Sequence, residues 1–316
     1  MFDNRITRLL GVKYPIVQAP MGYIARAQLA SAVSNAGGLG IIETSSGQLD
    51  EIRGEIVKMR ALTSRPFGVN IAQAFVRDPG IVEFVVAQGV KFVTTSAGDP
   101  TKYTRALKAA GLTVFHVVPS LRAAQKAVDA GVDGLVVEGG EGGGFKSHQE
   151  VATMVLLPLI RSKTDVPIIA AGGICDGATM AAAFALGAEG VQMGTRMVSA
   201  LESPIHDGWK QAIVAAPETG TVMLKPPGRP ALRALRTERT ERLERDPTNA
   251  MEEMGAGVRD VYFGGDIGAG VALSGQVAGR IESVRPVADI LRDTVNDFFA
   301  TLEALAKQYG QPQPAR

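Results

Sequence analysis

The stretch Val166–Arg196, VPIIAAGGICDGATMAAAFALGAEGVQMGTR, decides how the chain is read. The apolar run Val166–Ile169 leads into Ala171-Gly172-Gly173-Ile174. A second run, Ala188–Gln192, leads into Met193-Gly194-Thr195. Roughly twenty residues of helical, Ala-rich character separate the two glycine clusters, as in an α/β repeat. Glycine lets backbone N–H groups approach an anion closely, and a helix N-terminus adds partial positive charge. Two such turns in register read as the halves of one phosphate cradle. In (β/α)8 barrels that cradle is built from the loops after strands seven and eight. A phosphate held there implies a nucleotide-like cofactor, and FMN fits best, because no G-x-G-x-x-G dinucleotide fingerprint follows an early strand. The competing reading is a pair of tight βα turns with no ligand.

The same rhythm runs outward along the chain. Strands are expected at Pro15–Gln18, Leu39–Ile42, Phe67–Ile71, Lys91–Thr94, Thr113–Val117, Gly134–Glu138, Val166–Ala170 and Gly190–Met193. Helical patterns lie between them, and Gly89, Gly111, Gly131 and Gly187 each stop a helix before a new apolar run. Eight βα units favour a closed α/β barrel, a (β/α)8 TIM barrel, over an open sheet. From about Ser199 to Arg280 the rhythm breaks, with no strand pattern. Lys225–Pro230 reads as a loop and Arg233–Arg245 as a charged helix. Pro286–Ala306 reads as the final barrel helix, and Gln311–Arg316 as a disordered tail. The expected organisation is a barrel of residues 1–198 and 281–316, with 199–280 as a lid-like insertion after strand eight.

Composition narrows the function classes. With 46% apolar residues among 316, a sizeable core is available. The 33 basic and 32 acidic residues nearly cancel, which leaves no nucleic-acid or membrane-surface footprint. Met1–Arg5 lack the apolar core of a signal peptide, so a cytoplasmic protein is expected. Cys175 is the single cysteine and three histidines are scattered, so no metal site is expected. Cys175 itself reads as a small filler.

In a barrel, chemistry collects at the C-terminal ends of the strands. Ala19, Pro20 and Met21 follow strand one, where small residues let a flat ring lie against the backbone. Asn70 ends strand three and offers both a donor and an acceptor. Glu138 ends strand six and opens Gly139-Gly140-Glu141-Gly142-Gly143-Gly144-Phe145, a run that permits close approach of a ligand. His116 lies near the end of strand five, facing either a pocket or the core.

These segments resemble the nitronate monooxygenase (2-nitropropane dioxygenase-like) family of FMN-dependent barrels, and within it enoyl-acyl-carrier-protein reductase II. The resemblance is carried by RITRLLGVKYPIVQAPM (Arg5–Met21), AGGLGII (Ala36–Ile42), RPFGVN (Arg65–Asn70), VKFVTTSAG (Val90–Gly98), VVPS (Val117–Ser120), Val137–Gly144, VPIIAAGGICD, GAEGVQMGTR and ALSGQVAG (Ala272–Gly279). It implies FMN, with its phosphate on Gly172, Gly173, Gly194 and Thr195. The flavin ring would lie near Ala19–Met21 and Asn70, beside Glu138, Gly143 and Gly144. NADH or NADPH would be a co-substrate, the substrate a small molecule or an acyl thioester, and a homodimer is compatible with it.

One departure matters. Members of both activities typically carry a histidine directly after the glycine turn, and here Phe145 stands in that place. Phenylalanine cannot move a proton, so a nitronate mechanism relying on that base is weakened. A hydride-transfer reductase survives if another group supplies the proton. His148, three residues on, is the candidate catalytic substitute, with Phe145 and His116 as substrate-pocket residues; His206 reads as structural. Three functions therefore compete: NAD(P)H-dependent reduction of an activated C=C or a quinone, nitronate oxidation by O2, and flavin binding with little turnover.

Overall fold

The computed structural model describes residues 2–310. In chain order its strands are β1 (Ile16–Gln18), β2 (Gly40–Glu43), β3 (Phe67–Ala72), β4 (Phe92–Ser96), β5 (Thr113–Val118), β6 (Gly134–Glu138), β7 (Gly144–Lys146), β8 (Ile168–Ala171), β9 (Gly190–Met193), β10 (Thr221–Leu224) and β11 (Ala231–Leu235). Eight of them form one parallel sheet in the order β1-β9-β8-β6-β5-β4-β3-β2. A parallel bridge between Val17 and Leu39 closes it. Across that seam Gln18 N donates to Leu39 O at 3.0 Å and Leu39 N to Ile16 O at 2.9 Å. The Gln18 side chain accepts from Ile41 N at 3.2 Å. All eight expected strands are thus present in a TIM-type barrel. The helix-stopping glycines 89, 111, 131 and 187 all have positive φ, which a side chain would strain.

Alternation along each strand separates two cores. Val17, Leu39, Ile41, Phe92, Phe115, Val136 and Ile169 point inward and fill the barrel. The helix Arg5–Leu10 plugs its bottom with Ile6 and Leu10. That helix starts on a capping box between Asn4 and Thr7 and ends at Gly11, φ 67°. Outward residues such as Ile16, Ile42, Val93 and Leu135 pack beneath the helical ring. The helix Val287–Tyr309 completes the ring against Gly177–Ala185. The approach is so close that a Cβ on Gly177 would lie 2.2 Å from Phe298 N.

The segment between the last barrel strand and that helix carries strands after all. β10 and β11 pair antiparallel, and β11 pairs with β7, from the loop after β6. Arg233–Leu235 therefore belongs to a strand, and the charged helix begins only at Glu238, capped by Thr237. All five β11 residues are buried, so the polar–apolar alternation of a half-exposed strand never forms. Lys225–Pro230 is the connecting loop, as its composition implies. Gln311–Arg316 lies outside the described residues. No helix among the described residues is long and apolar enough to cross a membrane.

His116 belongs to the outer layer. It sits between inward Phe115 and Val117, in register with Thr95 and Leu135. Its Nδ1 meets Thr95 Oγ1 at 2.7 Å. Burial pushes its pKa down to about 4, against an opposing hydrogen bond to the Gly98 backbone. The ring is therefore neutral at pH 7. The unfolded chain, with a histidine near 6.5, binds the extra proton first as pH falls, so stability is lost between about pH 6.5 and 4. This one residue should cost about 3 kcal/mol across that window. Urea titrations of native protein and His116→Asn between pH 7 and 5 test it: the native slope should be steeper, and equal slopes would refute the assignment.

Candidate active site

The inward positions at the C-terminal ends of the barrel strands are polar. Two residues beyond inward Ile41, Phe92 and Val136 stand Glu43, Thr94 and Glu138. Asn70 pairs in register with both Glu43 and Thr94, and Gln192 lies two beyond Gly190, whose Cβ would touch Ile6 and Ile169. Asn70 is oriented by its neighbours: Nδ2 donates to Thr94 Oγ1 at 2.9 Å and to Thr94 O at 3.2 Å. Its Oδ1 has only a 3.5 Å contact from Ser96 Oγ and stays open to accept. Gln192 Oε1 is buried with no partner among the described residues. An orphaned buried carbonyl is costly unless something outside the chain pairs it.

Beside this ring lie the two glycine turns. Gly172 and Gly173 have φ 86° and 79°. The backbone N–H groups of Gly173, Gly194 and Thr195 find no acceptor among the described residues. Thr195 Oγ1 accepts from Gly275 N at 2.8 Å, which leaves its own hydrogen free to donate. A Cβ on Gly194 would stand 3.6 Å from Ala19 Cβ and 3.9 Å from Met21 Sδ. The turn after β9 thus faces the turn after β1, and a cradle of free donors adjoins a small-residue shelf. These features fit a flavin mononucleotide: donors for a phosphate, a flat shelf, and unpaired amide oxygens for ring N–H groups.

The glycine-rich loop after β6 is held from outside. Glu141 accepts from Thr153 N at 2.9 Å and Thr153 Oγ1 at 3.0 Å. Arg233 of β11 donates to Gly140 O at 2.7 Å and pairs with Glu150 at 2.8 Å. Gln276 N donates to Glu141 O at 2.9 Å. Gly143 has a reason of its own to be glycine: a Cβ there would lie 2.7 Å from Gly275 N. Segment Ser274–Gln276 therefore links the glycine-rich loop to Thr195, a role that the sequence pattern did not disclose. Gly144, φ 81°, opens β7, and a Cβ there would meet nothing within 4 Å.

On β7, Phe145 packs against Phe75, ring centroids 5.1 Å apart, and against the core of the β10–β11 segment. Lys146 points to the opposite face and pairs with Glu138 Oε1 at 2.6 Å, its side chain 5% exposed. His148 sits on the exposed turn beyond, its Nε2 donating to Arg229 O at 2.7 Å on the β10–β11 loop. The structure thus gathers Ala19, Met21, Asn70, Glu138, Gly172, Gly173, Gly194 and Thr195 around one mouth. It places His116 behind the barrel wall and engages His148 with the hairpin loop. Sequence reasoning did not assign Lys146, Gln192 or Glu43 to the site. The last accepts from Ser45 N at 2.6 Å, Ser45 Oγ at 2.7 Å and Ser46 N at 3.0 Å, and pairs with Arg26 at 3.1 Å. It also bonds Tyr23 N at 3.3 Å, which pins the loop that follows Met21. Burial pushes the Cys175 thiol up to about 12, so it is no nucleophile. His206 caps the helix Asp207–Val214 through Nδ1. Among the described residues no three His, Cys, Asp or Glu side chains are grouped as for a metal ion.

Known proteins share this arrangement. FabK from Thermotoga maritima superposes with a TM-score of 0.91 at 39% identity, over 98% of this chain and all of that one. A nitroalkane oxidase from Streptomyces ansochromogenes superposes at 0.79 with 26% identity, over 95% of this chain and 99% of that one. A "(3aS,4S,5R,7aS)-5-hydroxy-7a-methyl-1-oxo-octahydro-1H-indene-4-carboxyl-CoA dehydrogenase" from Mycobacterium tuberculosis is 40% identical, over 69% of this chain and 62% of its own length. The chain spans about three fifths of that dehydrogenase and of its Rhodococcus jostii counterpart. A nitronate monooxygenase from Paraburkholderia phytofirmans is 32% identical, over 65% of this chain and 69% of its own length. The model for "Nitronate monooxygenase" matches residues 3–297, and with this fold and mouth the chain belongs to the nitronate monooxygenase family of flavin oxidoreductases.

Proposed function

We propose that this protein is an FMN-dependent oxidoreductase that exchanges hydride equivalents between NAD(P)H and an acyl thioester, by reduction of an activated C=C bond. The observation that carries this reading is Phe145. It packs on Phe75 and against the small core of β10 and β11 where the family's proton-transfer histidine is expected, so that base is absent. Similarity to FabK and to a carboxyl-CoA dehydrogenase supports a thioester substrate. Nitronate oxidation with O2 is the second reading, favoured by the family match and the Paraburkholderia relative. A quinone is an alternative acceptor.

When bound, FMN would supply two-electron hydride chemistry. The chain's contribution is positional. Gly173, Gly194 and Thr195 would hold the phosphate through N–H groups and a hydroxyl. Ala19–Met21 would support the ring, and the open Asn70 Oδ1 and Gln192 Oε1 would be available as acceptors beside it.

Two experiments bear on this reading. Gly194 has φ −101°, outside the left-handed region, and a Cβ there meets only ordinary contacts. Gly194→Val should therefore fold normally, yet fill the gap between the two turns and lose most bound flavin. Chromophore extraction should yield FMN from native protein. Recovery of FAD, or full FMN retention in the variant, would move the cradle elsewhere. Substrate class is read from NADH and NADPH oxidation with enoyl-CoA, quinone or no acceptor, alongside O2 uptake with propyl nitronate. Enoyl-CoA should accelerate oxidation and nitronate turnover should be slow. Phe145→His should raise nitronate turnover by up to about 10²–10⁴-fold, the usual worth of a general base. A native protein that oxidises nitronates as fast as it consumes NAD(P)H would reverse the ranking, and one that turns over neither is a flavin-binding protein.

A further inference from the structure

We infer that Lys146 is the substrate-binding cation of the mouth: held by Glu138, its ammonium donates to the carbonyl oxygen of the acyl thioester. This rests on the thioester reading above.

The argument starts from unequal hydrogen bonding around the mouth. Other charges near the mouth each make several bonds. Glu43 takes donors from Tyr23, Ser45, Ser46 and Arg26. Arg233 engages Gly140, Thr221 and Glu150. The Lys146–Glu138 pair is different. An ammonium has three donors, and Lys146 Nζ makes one hydrogen bond, to Glu138 Oε1. Glu138 Oε2 makes none. Burying an ammonium costs several kcal/mol, which a partner offsets only when the remaining protons are also satisfied. With a side chain 5% exposed, water has little access to satisfy them. Two donors of Lys146 are thus left for something outside the chain.

The location suits a substrate. Glu138 is the inward residue at the end of β6, in register with Ala171, the residue before the Gly172-Gly173 turn. A Cβ on Gly142 would lie 2.9 Å from Lys146 Nζ and 2.8 Å from Glu138 Oε1, so only glycine fits there without displacing the pair. Lys146 directly follows Phe145 on β7 and points to the opposite face. The cation at the mouth is thus one residue removed from the position where the family's histidine is expected.

The chemistry follows. Hydride derived from the reduced nicotinamide adds to the β-carbon of the enoyl thioester. The C=C π pair shifts toward the carbonyl, negative charge collects on its oxygen, and a proton from solvent completes the α-carbon. The nicotinamide is oxidised and the thioester reduced by two electrons. Lys146 faces the oxygen that becomes negative, an oxyanion-type role whose loss typically costs about 10²–10³ in kcat.

The test uses FMN-loaded native protein, Lys146→Met and Lys146→Gln; the glutamine keeps a donor for Glu138 if the methionine variant fails to fold. Calorimetric titration of the oxidised proteins with acetoacetyl-CoA, an enolisable thioester, reads binding without turnover. Affinity should fall at least about tenfold in both variants, with kcat for enoyl-CoA lower by about 10²–10³. Flavin content and flavin reduction by NAD(P)H should stay within about twofold of native. Unchanged acetoacetyl-CoA affinity in a folded, flavin-loaded variant overturns the inference. Native protein that binds acetoacetyl-CoA through Lys146 but reduces no enoyl thioester overturns the reaction proposed above and leaves the lysine assignment standing.

Discussion

The glycine-rich loop after β6 has one side chain, Glu141, between Glu138 and Phe145, so it cannot hold its own shape. Its geometry is imposed by the segment inserted between the last barrel strand and the last helix. β11 pairs with β7, Arg233 grips Gly140 O, and Gly275 closes on Gly143. Ser274 is itself fixed by Trp209 Nε1 at 3.2 Å. The insertion is therefore structural for the mouth. A ligand contacting the loop reads a surface whose rigidity originates some ninety residues away in sequence, on β11 (Arg233 to Gly140 spans 93).

Carboxylates at the mouth divide by how fully they are bonded. Glu43 and Glu141 spend their oxygens on backbone N–H and hydroxyl donors, and each fixes a loop. Glu138 does not. It lies in the same ring, on the same kind of strand end, yet only one of its oxygens is engaged. Its partner Lys146 is the buried member of the pair, and incomplete pairing of that ammonium is destabilising, which binding explains more readily than folding. Gln192 fits the same pattern on a smaller scale, as a neutral carbonyl without a donor.

The barrel was legible in the sequence because its signals are local. Apolar runs, helix-stopping glycines and the two cradle turns each depend on a few adjacent residues, and the eight strands fell where those signals placed them. The insertion was not legible for the opposite reason. Val222, Leu224 and Leu232 build a small core, but β11 is buried on both faces and contains Arg233, whose charge is matched by Glu150 far along the chain. A charged residue inside a strand reads as surface until its partner is known. His116 was ambiguous for a related reason: one step in strand register decides whether a residue faces the barrel or its outer layer, and composition does not carry register. Lys146 could not be placed at the mouth from sequence because β7 forms only when β11 arrives.

Glycines near the mouth show how one residue type answers different constraints. Gly172 and Gly173 need positive φ, so their requirement is conformational and would persist without any ligand. Gly143 needs space for the backbone of Ser274–Gly275, a requirement of packing. Gly194 needs neither: its φ is negative and a Cβ would find only ordinary contacts, at 3.6 and 3.9 Å. A glycine that the fold itself does not demand, set between free N–H groups and the shelf after β1, is best explained by what must fit beside it. That difference is physical rather than statistical, and it makes Gly194 the glycine most diagnostic of the cofactor.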